Sequence, residues 1–166
     1  MEIGSRRILH INVTDHPTAE WTIPQFREFL AYDHPYRFVI HDRDSILSTA
    51  VYQALKDCGV RALKTPVRTP TANAFCERVI GTIRRECLDF IIPMNERHLR
   101  STVREFAAYY NRGRPHASLG PGIPEPIQAS APDSVDKHKL PVGYRIVSKP
   151  ILSGLHHDYR LEREAA

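Results

Sequence analysis

The sequence predicts a layered α/β domain followed by a C-terminal β-hairpin. Three short apolar segments of strand type alternate with segments whose apolar residues recur at helical spacing, and such alternation is typical of α/β domains. A proline-rich stretch then breaks the pattern, and two strand-type segments flank Ser153 and Gly154. We therefore expect a main domain over residues 1–126, a linker over residues 127–141 and a hairpin tail over residues 142–166.

The boundaries of the elements follow from apolar spacing and from capping residues. Thr18 is placed to cap a first helix that has Pro24 in its first turn, and Asn95 is placed to cap the fourth. In the third helix, Ile80 is expected on the buried face. The expected strands are 6–14, 37–41 and 60–64, and the expected helices are 18–30, 48–58, 73–90 and 95–111.

Composition and charge narrow the function classes. Of the 166 residues, 42% are hydrophobic and 25% are charged, which are ordinary values for a globular protein. The net charge of +4 is compatible with a nucleic-acid partner, and most cations between residues 61 and 114 are arginines, which suit phosphate contact. No apolar run reaches the length of a membrane-spanning helix, and the N-terminus has no apolar signal region. We therefore expect a cytoplasmic protein with no membrane partner.

The cysteines and the adjacent histidines do not indicate a zinc or redox protein. Cys58, Cys76 and Cys87 are scattered, odd in number and without a C-x-x-C pair, so neither a disulfide framework nor a zinc site is expected. His156 and His157 are neighbours on an expected strand, where successive side chains point to opposite faces. A metal ion shared by these two histidines is therefore not expected.

Two acidic residues stand out by their placement. Asp42 directly follows the strand expected at 37–41, and open α/β sheets bind their ligands at the carboxyl ends of strands. Glu77 lies near the start of the third helix, at the border of its buried face, and Arg84 lies two turns further on the same side. Asp44 competes with Asp42 for the same role. Each of these acids also has a simpler interpretation, as a turn residue or a residue of a first helical turn.

These residues resemble the catalytic core of DDE-type integrases and transposases. HDRDSIL at 41–47 is similar to the family's D-x-G-S turn, and TPTANAFCERVIGTIRREC at 69–87 is similar to its P-x-x-N-x-x-x-E helix. YYNRGRPHASLG at 109–120 resembles the family's Y-N-x-x-R-x-H-x-x-L segment. Asp42 and Glu77 have 34 intervening residues, one fewer than is usual, and Asp44 stands where the family has glycine. The resemblance spans residues 6–126.

The resemblance implies a ribonuclease-H-like mixed sheet with flanking helices, and metal-dependent cleavage and strand transfer of DNA phosphodiesters. In that family three carboxylates hold Mg²⁺ or Mn²⁺, and hard cations of this kind prefer oxygen ligands. Asp42 and Glu77 would be two of these catalytic metal ligands. The third is expected on an opening strand, for which Glu2 and Asp15 are poor substitutes. We therefore expect a core that is truncated at its N-terminus, lacks the opening strand and is inactive on its own.

The resemblance also implies a DNA partner and a set of DNA-contacting residues. Asn73 would cap the Glu77 helix and border the site, and the other members of the set are basic. The predicted DNA-contacting residues are Lys64, Arg68, Asn73, Arg84, Arg85, Arg112, Arg114 and His116. The simpler alternatives are a solvated helix face for the pair at 84–85 and a local network with Tyr110 for those at 112–116.

Two non-enzymatic alternatives remain open. The chain could bind DNA or pair with a transposase subunit without catalysing a reaction, or it could be a degenerate remnant with no role. A complementing subunit or a second copy could also supply the missing strand, because an exposed sheet edge accepts a further strand. DNA affinity that falls with rising salt would separate phosphate contact from no binding.

Overall fold

The computed structural model describes residues 1–31, 33–67, 69, 73–120, 122–126 and 139–164. The chain divides into two compact units, the first formed by Met1 and residues 9–100 and the second by residues 2–8 and 101–166. Of the linker expected over residues 127–141, only residues 139–141 lie within the described part, so the division into core, linker and tail stays a prediction. Among the described residues, no helix is long and apolar enough to cross a membrane.

Helices and strands alternate through the first unit. Its elements are α1 (Ala19–Phe29), β1 (Phe38–His41), α2 (Thr49–Asp57), β2 (Arg61–Lys64), α3 (Ala74–Glu86), a 3₁₀ turn (Leu88–Phe90) and the start of α4 (Glu96–Arg112). The second unit contains the rest of α4, a 3₁₀ turn (Ala117–Leu119), β3 (Tyr144–Ile151), a 3₁₀ turn (Leu152–Gly154) and β4 (His156–Arg163). These helices and strands lie within a few residues of their predicted positions, and the mixed α/β class is confirmed.

The predicted helix starts at Thr18 and Asn95 are confirmed by capping hydrogen bonds. The Thr18 hydroxyl accepts the Trp21 N–H at 3.2 Å, and Asn95 Oδ1 accepts the His98 N–H at 2.8 Å. A hydrogen bond to its own backbone N–H, and then one with the Thr18 hydroxyl, hold the pKa of Glu20 below its usual value. The placement of Pro24 in the first turn is wrong, because α1 begins at Ala19 and Pro24 lies in its second turn.

The sheet of the first unit is a parallel pair of strands. Phe38 lies opposite Arg61 and His41 opposite Lys64, and the Thr65 N–H donates to the His41 carbonyl at 2.9 Å, one step beyond the strands. A parallel pair cannot be closed by a tight turn, and α2 provides the crossover. The carboxyl ends of β1 and β2 therefore meet at the same edge.

The core of the first unit lies on one face of this sheet. Its fully packed residues are Leu30, Val51, Leu55 and Val60, and partly buried apolar residues of α1, β1, α2 and β2 surround them. The opposite face of the sheet carries three apolar residues that remain exposed: Phe38 at 47%, Ile40 at 41% and Leu63 at 39%.

The strand predicted at 6–14 is wrong, since the structure has no strand there. In the first unit, side chains hold this segment instead of a ladder of backbone bonds. His10 Nε2 and the Asn12 amide both contact Gln25 Oε1 on α1, at 2.9 and 2.8 Å, and the Arg100 guanidinium donates to the Val13 carbonyl at 3.2 Å. The apolar content of segment 6–14 indicated correctly that it packs against the rest of the unit. It did not make the segment a strand, because a strand also needs a neighbouring strand to bond with.

In the second unit, the Asn111 side chain takes the place of a neighbouring strand. The Ile8 N–H donates to Asn111 Oδ1 at 2.9 Å, and the Asn111 amide donates back to the Ile8 carbonyl at 2.9 Å. Both residues are buried, and their separation in the chain is 103 residues. Since a buried peptide group needs hydrogen-bond partners, this amide satisfies the backbone of Ile8 as an adjacent strand would.

The buried face of α3 differs from the predicted one by one position. Ile80 is 64% exposed, and Thr82 is buried at 7% in addition to Val79. The prediction for Ile80 is therefore wrong. An isoleucine on the exposed side of a helix shows that the apolar stripe read from the sequence was too wide.

The C-terminal hairpin is present and antiparallel, with Tyr144 opposite Arg163 and Ile151 opposite His156. Leu152, Ser153 and Gly154 form its turn and all have positive φ angles, which are 51°, 55° and 96°. Leu152 is buried, and its N–H donates to the Glu105 carboxylate at 2.7 Å. These contacts offset the cost of a left-handed conformation at a leucine.

We expect Asn111→Ala to lower the free energy of unfolding by about 2–4 kcal/mol. It leaves the Ile8 N–H and carbonyl buried without partners, and each such group costs about 1–3 kcal/mol. Denaturant unfolding monitored by circular dichroism measures the change.

Asn111→Asp is the matched control for this effect. A carboxylate still accepts the Ile8 N–H but repels the Ile8 carbonyl, whereas a protonated carboxyl can donate to it. The folded state therefore favours the protonated form and raises the pKa of the carboxyl. Stability relative to Asn111→Ala should be fully present below about pH 4, the pKa of an unfolded aspartate, and be lost as the pH rises above it through the raised pKa. Equal stability of Asn111→Ala and the parent would contradict the structural role of Asn111.

Candidate DNA and metal site

Asp42 lies where the sequence predicted, directly after β1 at the carboxyl edge of the parallel pair. Its side chain is exposed, and its Oδ1 accepts the Asp44 N–H at 3.1 Å. The preceding residue, His41, is buried at 8%, packs its ring 5.5 Å from that of Tyr52 and contacts the Asp42 carbonyl through Nδ1. Two contacts therefore hold Asp42, one at its carbonyl and one at Oδ1, while its side chain remains exposed.

Asp44 takes part in the same turn, in the position where the resembling family has glycine. Its Oδ1 accepts the Ile46 N–H at 2.9 Å, so two successive aspartates each hold the backbone N–H two residues further on. This is the usual work of Asp in a turn. Both aspartates are exposed, and the turn geometry alone does not separate the competing candidates.

Glu77 lies in the first turn of α3 and is exposed. Asn73 occupies the N-cap position of the same helix, but its side chain makes no capping hydrogen bond. At helical spacing, Asn73, Glu77, Ile80 and Arg84 form one stripe along α3. This stripe places a carboxylate, an amide and a guanidinium on one side of the helix.

The donor chemistry of Asp42 and Glu77 fits a hard divalent cation, because Mg²⁺ and Mn²⁺ prefer carboxylate oxygens. These two residues alone are fewer than the three carboxylates that the resemblance implies. Within the described ranges, no group of three or more His, Cys, Asp or Glu side chains is placed to hold a metal ion. The three cysteines are free. The structure therefore presents two candidate ligands of the right kind and no assembled three-ligand centre among these residues.

The two other acids considered for a third ligand have local partners. The Glu2 carboxylate accepts the Ser5 hydroxyl, and the Glu2 N–H donates to the Arg7 carbonyl at 2.8 Å. Asp15 is exposed, and its carboxylate lies 3.6 Å from His16 Nε2. Glu2 is thus part of a turn in the second unit, and Asp15 has the contacts of a turn residue in the first.

The described basic residues of the predicted DNA-contacting set that belong to the first unit lie on β2 and α3. Lys64 ends β2 opposite His41 and is exposed. Arg84 is exposed and lies 3.5 Å from Asp89, and the Arg85 guanidinium folds back over Gly81, where a Cβ atom would lie only 2.9 Å from Nη1. Arg68 lies outside the described residues.

The side chains of segment 110–119 pack against one another and against Glu125. The His116 ring is buried at 8% and lies 4.5 Å from the Tyr110 ring, edge to face. The Arg114 guanidinium lies over the same Tyr110 ring at 5.7 Å, and Arg112 donates to Glu125 at 3.0 Å. The local network considered from the sequence is present, and direct contact of these three residues with DNA stays a prediction.

Sequence reasoning missed two residues that organise this region. Glu125 lies 3.0 Å from Arg112 and 3.7 Å from Arg7, so one carboxylate joins the N-terminal segment to the end of α4. Asn111 belongs to the recognised motif, but only the structure shows that its amide binds Ile8. Neither pairing has a signal in a single sequence, because the partners are far apart in the chain.

The fold and the placement of the acids define an α/β protein with carboxylates at the carboxyl edge of a parallel strand pair and on the helix that follows. Residues 58–124 match the family model described as "Integrase core domain". This part of the chain, which contains β2, α3 with Glu77, and the 110–119 segment, is similar to the integrase core family. The match relates the chain to DNA integration and transposition. No curated protein matches the chain.

We expect Gly81→Ala to stabilise the protein by about 0.5–1 kcal/mol, because alanine is the better helix former and the interfering atom is the mobile end of Arg85. The control is Gly113→Ala, whose Cβ would meet the Tyr109 ring at 3.0 Å. That ring is stacked on His156 at 4.8 Å and cannot yield easily, so Gly113→Ala should destabilise. Thermal unfolding of both variants is the measurement, and a destabilised Gly81→Ala would show that Arg85 is held in place.

Proposed function

We propose that this chain is a DNA-binding integrase-type core whose Asp42 and Glu77 contribute two ligands to a Mg²⁺ or Mn²⁺ site. The observation that carries the proposal is the parallel β1–β2 pair, which sets Asp42 at the shared carboxyl edge and is followed by the helix with Glu77. In open α/β sheets ligands bind outside this edge. The integrase core match over residues 58–124 supports the same site from the side of β2 and α3.

In the proposed reaction, the protein's own residues orient the phosphodiester and hold the cation. Asp42 keeps one carboxylate oxygen in the turn and offers the other, and Glu77 offers its carboxylate from the rigid first turn of α3. When bound, the cation would stabilise charge on the attacking and leaving oxygens of phosphodiester cleavage and strand transfer. Lys64 at the end of β2 would hold a neighbouring phosphate.

We further propose that the isolated chain does not catalyse this reaction efficiently. This proposal is supported by the arrangement of the described residues, among which no three candidate metal ligands lie together. A complementing transposase subunit would then supply a third carboxylate together with a strand. β1 has one partner strand among the described residues, which leaves its other edge for such a strand.

A second candidate function is a non-catalytic transposase-partner module. The exposed apolar face of Phe38, Ile40 and Leu63 favours it, because three large apolar side chains in a row on one sheet face suit contact with another protein. The two functions differ in their dependence on Asp42 and Glu77, which partner binding alone would not require.

The proposed DNA path of the first unit runs over Lys64, Arg84 and Arg85, with Asn73 beside Glu77; Arg68 is proposed to join it from outside the described residues. Arg112, Arg114 and His116 would form a separate contact in the second unit. There, a phosphate would have to replace Glu125 as the partner of Arg112, and the buried His116 would act by packing Tyr110 against Arg114.

We expect Mn²⁺, detected by its electron paramagnetic resonance signal, to bind the chain and to bind about tenfold more weakly in Asp42→Asn and in Glu77→Gln. Each substitution removes a charged oxygen ligand while keeping the size of the side chain. An Asn at position 42 can still accept the Asp44 N–H, so the turn should persist.

Asp44→Asn is the matched control for the metal measurement. It removes the same charge from the same turn while its amide oxygen can still accept the Ile46 N–H, and it should weaken Mn²⁺ much less than Asp42→Asn. A larger loss in Asp44→Asn would transfer the ligand role to Asp44. Robust Mn²⁺-dependent nicking of DNA by the isolated chain, abolished by Asp42→Asn, would contradict the proposed lack of activity.

We expect the association constant for duplex DNA to fall about 40-fold between about 50 and about 200 mM salt if three cationic side chains contact phosphates. Each contact contributes about −0.9 to the slope of log association constant against log salt concentration. Replacing Lys64, Arg84 and Arg85 with glutamine should flatten the slope by about one per residue. Fluorescence anisotropy with a labelled duplex measures both quantities.

The control for the salt measurement replaces Arg27, Arg97 and Arg104 with glutamine. These arginines are exposed, lie outside the proposed path and reduce the net charge by the same amount. Equal slopes in the two triple variants would show that general charge, and not the proposed path, determines binding.

A further inference from the structure

The C-terminal hairpin has two faces of different chemistry. Cross-strand partners in an antiparallel pair lie on the same face, and faces alternate along each strand. One face, called the front face here, therefore carries four pairs: Tyr144–Arg163, Ile146–Leu161, Ser148–Tyr159 and Pro150–His157. The back face carries the pairs Arg145–Glu162, Val147–Arg160, Lys149–Asp158 and Ile151–His156.

Both acids of the hairpin strands lie on the back face, and each is neutralised there. Arg145 lies 3.8 Å from Glu162, and Arg160 lies 2.7 Å from Asp158. The front face has no acidic residue, and Arg163 is its cation. The strands therefore separate charge by face, which leaves the front face apolar, aromatic and positive.

The inner end of the back face is fixed to α4. The His156 ring stacks on Tyr109 at 4.8 Å and lies 5.8 Å from Phe106, which is fully buried. Asp158 is buried close to Gly113. Since the inner end of the back face is packed, the front face is a supported surface within the second unit and not a free ribbon.

The front face presents Tyr159, His157 and its apolar pair to solvent, and Tyr144 is half-buried. Tyr159 is 67% exposed, Ile146 is 58% exposed and Leu161 is 39% exposed. His157 lies 6.1 Å from the Tyr159 ring on the same face. Tyr144 lies beyond the apolar pair, four residues from Ser148 and therefore about 13 Å from the Tyr159 end.

We propose that the front face binds single-stranded nucleic acid, with unpaired bases on Tyr159 and Tyr144 and a phosphate on Arg163. Exposed aromatic rings on a β surface stack bases without regard to sequence, and a nearby arginine adds the phosphate contact. The flat apolar pair of Ile146 and Leu161 lies between the two rings, where it would contact the sugar or base between them.

Charge favours a nucleic acid over a second copy of the hairpin. Two front faces brought together would oppose their arginines with no acid to pair them, since Asp158 and Glu162 point to the back. A polyanion with exposed π-faces complements this surface in charge and in shape. The proposal does not rest on the metal site, because neither Asp42 nor Glu77 belongs to the hairpin.

The test uses the full chain and a fluorescein-labelled oligothymidylate of about 20 nucleotides, which is longer than the sites of such modules, with EDTA present to remove metal ions. Tyr159→Ala should bind about 5- to 150-fold more weakly, the range for loss of one stacked base. Tyr159→Phe keeps the ring and should bind within about twofold of the parent. Arg163→Gln should flatten the salt dependence by about 0.7 in log–log slope.

Lys149→Gln is the control for Arg163→Gln, because it removes one exposed positive charge from the back face and should leave the slope nearly unchanged. Unaltered binding in both Tyr159→Ala and Arg163→Gln would overturn the proposal. So would a parental dimer, seen by sedimentation, that Tyr159→Ala dissociates without any loss of oligothymidylate binding. Should Tyr159→Ala unfold, the comparison of Arg163→Gln with Lys149→Gln still decides the outcome.

Discussion

A parallel pair of strands imposes the constraint on which the candidate site depends. Parallel strands need a crossover, so the chain must leave β1 at Asp42, pass through α2 and return along β2 before it reaches α3. Both strands then end at one edge, and everything that follows them starts from that edge. The strand topology, and not a side-chain contact, therefore determines where Asp42 and the helix with Glu77 begin. Two short strands suffice for this, although the sheet itself is thin.

The prediction of the fold succeeded where the local pattern was sufficient and failed where a distant partner decided the outcome. Helix starts at Thr18 and Asn95 could be predicted because a cap acts within three residues. The segment 6–14 could not, since its groups are satisfied by Gln25 and Asn111, and nothing in a sequence shows that an amide far along the chain replaces a strand. Asp42 and Glu77 could be identified as candidates from the order of the motifs in the sequence. The residues that surround them in the fold could not be predicted in this way.

The Asn111 amide also changes how the 110–119 segment is understood. As a motif it suggested phosphate contact, but its asparagine binds the Ile8 backbone, its buried histidine packs on Tyr110, and Arg112 binds Glu125. Each of these interactions lies within the second unit, and the one between Asn111 and Ile8 joins residues that are 103 positions apart. Residues of a motif can therefore serve the fold. For each of them to contact DNA, its side chain would have to give up the partner that it has in the structure.

The exposure of Asp42 and Glu77 determines how such a site can function. Two carboxylates in water attract a divalent cation weakly, because the high dielectric constant screens each charge and the cation keeps its own waters. A DNA phosphate contributes further oxygens and excludes solvent, so cation and nucleic acid would assemble the centre together more readily than either would alone. An additional carboxylate from a partner would act in the same direction. Two exposed candidate ligands would thus suit a centre that forms only when substrate and partner are both in place.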